Sequence, residues 1–167
     1  MAGTMTDRMV DRMVGAAFLS VDTFEEVEHD QDATLQAAGV VAMVAVASAL
    51  GSSPLGVVRA VQAAVVAVIG WAAWAGVAYL IGTKLFGGTA TWGEVMRTLG
   101  FADAPGLLLI LKIIPILGGL ISFFVALWML VAGFIGLRQA LDLGNGKTLA
   151  TVIVGWCVFA VLAFLFK

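Results

Sequence analysis

Apolar runs of about twenty residues, the length a helix needs to cross the hydrocarbon core of a bilayer, recur along the chain after residue 33. Backbone polar groups find no water in lipid, so such runs must satisfy their hydrogen bonds internally, as helices or as a closed barrel. Barrel strands alternate apolar and polar residues, whereas these runs are apolar on every face, which leaves helices. Composition agrees, since 62% of the 167 residues are hydrophobic and 12% charged, outside the balance of a soluble domain. The expected fold class is therefore all-α: a polytopic membrane helical bundle with five transmembrane helices and an N-terminal amphipathic helix. The spans are placed at roughly 34–51, 60–82, 104–117, 119–137 and 148–166. Residues 1–33 form a cytoplasmic amphipathic and acidic segment, and residues 34–167 the transmembrane domain.

Within residues 4–19, Met5, Met9, Val10, Met13, Val14, Ala17 and Phe18 recur at helical spacing, with Asp7, Arg8, Asp11 and Arg12 opposite. This amphipathic helix suits the membrane interface, the domain's own helices or a partner, and methionines suit adaptable contacts. Met5, Met9, Met13 and Phe18, with Arg97 and Arg138 from a cytoplasmic ring, make up the candidate contact face. Asp22 followed by Glu25 has the form of a capping box and predicts a short acidic helix. The first thirty residues are acidic and amphipathic, so no cleavable secretory signal is expected.

Charge sets the expected orientation. Eight of the eleven acids but only two of the nine basic residues precede residue 33, which excludes a nucleic-acid partner by sign. Arg8, Arg12, Lys84, Arg97, Arg138 and Lys147 share the N-terminal side, against Arg59, Lys112 and Lys167. Basic loops favour the cytoplasm, so a multi-pass protein of the cytoplasmic (inner) membrane is expected, N-terminus cytoplasmic and C-terminus on the far side.

The stretch GFADAPGLLLILKIIPILGG, residues 100–119, interrupts the third span with an acid, a lysine, two prolines and glycines. Thr91 and Glu94 form a capping box opening a short interfacial helix, with Trp92 as an interface anchor. Asp103 reads as an N-cap, followed by Pro105 and Gly106 in a first turn where proline's missing donor costs nothing. Pro115, Gly118 and Gly119 then close a tight hairpin between a short third span and the fourth. Lys112, the one charge placed inside a span, is expected to snorkel or pair with a carbonyl.

No chemistry of catalysis is legible. The sole histidine, His29, lies in a polar acidic run, and the sole cysteine, Cys157, reads as a small buried packing residue. A Ser-His arrangement or an intramembrane aspartate pair is missing, so neither an enzyme nor a cofactor or metal site is expected. Transport ranks lower, because the helix break has no second copy in the chain.

Residues 97–141, with Arg97, Gly100-Phe101-Ala102, Ala104-Pro105, Ile114-Pro115, Gly118, Trp128 and Leu137 to Leu141, resemble the core of the Yip family, the Ypt/Rab-interacting membrane proteins, in its bacterial branch. The resemblance extends over about residues 18–166 and includes the acids before span one and KLFGG at 84–88. It implies a Yip-like domain of five spans with a cytosolic N-terminus. For eukaryotic members it implies Rab-type GTPase partners, for which the short N-terminal segment here leaves little room. The expected function is a non-enzymatic membrane-organising scaffold acting through protein-protein contacts. Its partners would be the lipid bilayer and membrane proteins or a second copy. The alternative is an accessory or assembly subunit of a larger bacterial respiratory, photosynthetic or transport complex.

Overall fold

The computed structural model describes residues 5–52 and 57–165. They form α1 (Met5–Ala17), α2 (Val21–His29), α3 (Ala33–Ser52), α4 (Val57–Lys84), α5 (Trp92–Ala102), a 3-10 helix (Ala104–Ile113), α6 (Gly118–Ala140) and α7 (Asn145–Leu165). No strand occurs among the described residues. Among them, α3, α4 and α6 are each long and apolar enough to cross a membrane. The 21 residues of α7 would rise about 31 Å as an α-helix.

The interrupted stretch takes its own geometry. Asp103 ends α5 and opens the 3-10 helix without any side-chain capping bond, so the expected N-cap interaction is replaced by its carbonyl accepting from Gly106 N at 2.7 Å. Ten residues at the 3-10 rise of about 2.0 Å cover roughly 20 Å, short of a full crossing. The chain then reverses through Pro115, Ile116 at φ 72° and Leu117 before α6 begins. A Cβ at Gly118 would stand 2.8 Å from the Lys112 carbonyl oxygen, so the hairpin closes only around a glycine, whereas Gly119 has open space. Lys112 meets a hydroxyl rather than a carbonyl, donating to Ser48 Oγ at 3.0 Å.

The 3-10 helix lies between α3 and α6, while α3 also packs on α4 and α4 on α7. Gly100 permits the close approach of α5 to α3, since a Cβ there would be 2.7 Å from that of Ala37. The loops after α4 and α6 meet at one end of the bundle. Thr89 N donates to Leu141 O at 3.2 Å and Lys147 Nζ to Phe86 O at 3.1 Å, joining the loops after α4 and α6. Cys157, expected to be buried, is exposed on α7, because that helix packs on the bundle by another face.

Candidate functional site

The segment before α3 folds onto this loop-bearing end. In α1 the buried stripe is Arg12, Met13 and Ala16 with Met9 half-buried, the i, i+3, i+4, i+7 positions of one helix face. Val10, Val14 and Phe18 form a second, outward stripe, with Phe18 78% exposed. The amphipathic reading therefore held for the helix but not for all its faces. Arg12 was expected opposite the apolar side and instead points inward.

Burial of that guanidinium is possible because its donors are used. Nε donates to Glu26 Oε1 at 2.9 Å, Nη1 to Gln36 Oε1 at 2.9 Å and Nη2 to Asp30 Oδ2 at 2.5 Å. One side chain thus ties α1 to α2 and α3. Burial pulls the Arg12 pKa down, but its bonds to Asp30 and Glu26 outweigh this and raise it. The Asp30 carboxyl is held below its usual range by the bond from Arg12.

α2 is capped by Ser20, whose side chain accepts from Thr23 N at 3.3 Å, rather than by the expected Asp22–Glu25 box. Leu19 at φ 62° turns the chain and brings Ser20 to the helix start. Phe24 is fully buried against Gly136 of α6, where a Cβ would come within 3.0 Å of its ring. At the other end of α2, Arg97 donates from Nε to Val27 O at 2.9 Å and Glu28 O at 3.1 Å, and from Nη2 to Glu28 O. Its Nη1 reaches Thr34 Oγ1 at 3.3 Å. A cation there satisfies orphan carbonyls and complements the negative end of the helix dipole.

The residues of the candidate face are therefore not all brought together. Phe18 is exposed and Met9 half-buried, Met13 and Arg97 are buried, and the Met5 side chain lies outside the described residues. Arg97 departs from an outward role because the α2 carbonyls need a donor. Arg138 sits where α6 meets α7, bonded to Gln139 Oε1 and to Asn145 Oδ1 at 3.2 Å. Of the hairpin residues, Pro105 and Gly106 are buried, the latter against Val44 and Met129.

Further ties were not legible from spacing. Gln139 Nε2 donates to Glu25 Oε1 at 3.0 Å and Trp128 Nε1 to Ala17 O at 2.7 Å, so α6 holds both N-terminal helices. Trp92 is half exposed as an interface residue would be, its Nε1 donating to Ala72 O at 3.3 Å. Burial pushes the Glu28 carboxyl up to about 7, with nearby His29 opposing and Glu94, Asp142 and Glu25 adding to the rise. His29 is raised by its contact with the Glu25 carbonyl, 2.8 Å from Nδ1. Among the described residues no group of three or more His, Cys, Asp or Glu could hold a metal ion.

Compared with known proteins, the chain matches the family model described as the Yip1 domain over residues 15–166. No curated protein and no solved structure matches it.

Proposed function

Because the chain belongs to the Yip1-domain family of membrane proteins, we propose that it acts as a non-enzymatic, membrane-organising scaffold whose N-terminal helix presents the contact surface. The observation that carries this reading is α1 itself. Its inner stripe is locked by the buried Arg12 while its outer stripe, Val10, Val14 and Phe18, is left free among the described residues. A helix held rigidly on one side offers an apolar stripe at low entropic cost, the form in which helix faces dock onto partners.

In this reading residues 1–33 are the cytoplasmic segment and 34–167 the transmembrane domain. The short third span, made of the 3-10 helix continued by residues 114–117, and α7 then bring the passages to five, leaving the C-terminus on the far side. The gathering of basic Lys147 and Arg138 with the loops at one end supports that orientation.

The test is affinity purification from native membranes in a mild detergent, comparing wild type with the double variant Val14→Glu and Phe18→Glu. A partner or second copy that copurifies in stoichiometric amount with wild type and is lost from the folded variant supports the scaffold. Unchanged copurification would sink the role of α1. A defined set of larger-complex subunits would replace the scaffold by the accessory-subunit reading.

A further inference from the structure

Residues from α3, α4, α5, the 3-10 helix, α6 and α7 line a cavity of about 570 Å³ that opens to the outside of the bundle. Along α6 its wall runs from Ala126 to Leu137, about 16 Å at the helical rise of 1.5 Å per residue. The cavity is elongated along the bundle, and apart from its tryptophan indoles the lining is apolar except at two places. Ser48 is one, and its hydroxyl already accepts from Lys112. Asp103 is the other, and its carboxyl makes no hydrogen bond or ion pair among the described residues.

Glycines leave part of this room: both Gly70 and Gly133 line the cavity, and a Cβ at Gly70 would meet nothing within 4 Å and one at Gly133 only Leu99 Cδ2 at 3.9 Å. Water is a poor occupant, because each buried water needs two to four polar partners and the lining carries only Ser48, Asp103 and three tryptophans among otherwise apolar residues. An apolar chain matches the rest of the lining. The half-buried Asp103 carboxyl opens onto this space with its acceptor oxygens unused, so a donor brought by the occupant gains a hydrogen bond there at little cost. The polarity of the cavity also matches a bilayer. Asp103 follows α5, whose Arg97 marks the loop-bearing end, and Leu109 lies further along the chain's descent beside Gly51 of α3.

We propose that this cavity binds one membrane amphiphile, its tail lying against Trp71, Trp74 and Met129 and an N–H or O–H donor of its head group bonded to Asp103. The site is independent of the contact surface on α1. It predicts that lipids are distinguished by whether the head can donate a hydrogen bond, not by the tail.

The full chain, purified in mild detergent and stripped of lipid, is titrated with phosphatidylethanolamine or phosphatidylcholine of identical acyl chains and read by native mass spectrometry. One lipid per chain is expected, with the ethanolamine form retained about tenfold better, the ratio that one charge-assisted hydrogen bond supports. Asp103→Leu should bring the two to equal retention, and Gly133→Phe should abolish both while thermal melts report a folded protein. If Gly133→Phe does not fold, Gly70→Leu serves instead. Diacylglycerol bound as well as phosphatidylethanolamine assigns recognition to any donor, and binding of the amine alone assigns it to an ammonium head. Equal retention of all three lipids by wild type, a preference that survives Asp103→Leu, or a folded cavity-filling variant that holds lipid like wild type would overturn the proposal.

Discussion

Arg12 concentrates three interactions in one buried guanidinium, so its loss is felt by every element it joins. Arg12→Ala leaves Asp30 and Gln36 facing a void and is expected to lower stability by about 3 kcal/mol, measured by thermal denaturation in detergent. Arg12→Lys should recover only part of this, because an ammonium cannot span three acceptors in a planar fork. Glu28 gives a second residue-scale test through pH. Its folded pKa of about 7 lies above the ordinary 4.5, so the native state holds an extra proton between those values. Stability is then lost as pH rises from about 4.5 through 7. Glu28→Gln should melt like wild type at pH 4 and higher than wild type at pH 8. Identical melting curves at both would show that this carboxyl is not perturbed.

At the scale of elements, the boundaries of α5 and of the hairpin rest on few atoms. The Thr91–Glu94 box satisfies two backbone donors, with Glu94 N to Thr91 Oγ1 at 3.3 Å and Thr91 N to Glu94 Oε2 at 2.8 Å. Thr91→Ala should cost about 1 kcal/mol and speed amide exchange at the first turn of α5. In the hairpin, Gly118→Val pushes a side chain into the Lys112 carbonyl and is expected to cost about 1–3 kcal/mol. Gly119→Ala next to it should be neutral, since that position has open space. Comparing the two melts separates a packing requirement from a general need for glycine. This box and this hairpin were legible because capping and proline–glycine punctuation act locally. The Asp22–Glu25 box failed for a local reason too, as the left-handed Leu19 made Ser20 the better cap.

For the whole molecule, many large apolar side chains of the described residues face outward. Only 22% of the span windows of α4 and α6 is buried within the bundle, so their remaining faces are satisfied by lipid. The loops after α4 and α6 are hydrogen-bonded to one another, so they must lie on the same side of the membrane. Cysteines introduced at Gly87 and Gly144 in a Cys157→Ala background should therefore react with an impermeant maleimide in vesicles of one orientation and not the other. Labelling of the two from opposite sides would break the arrangement of α5, the 3-10 helix and α6. Labelling from the cytoplasmic side would support the proposed orientation.

Hydrophobic length and periodicity determined, from the sequence alone, that the chain is helical and membrane-embedded and where it breaks, and the motifs within residues 97–141 carried the resemblance to its family. These properties depend on neighbours a few residues apart, where the backbone in lipid has few alternatives. The inward turn of Arg12 and Arg97, the exposure of Cys157 and the cavity around Asp103 were decided only by tertiary structure. A polar side chain in an apolar chain goes where its partners are, and those of Arg12 and Arg97 lie 14 to 70 residues away, at a separation that local pattern does not encode.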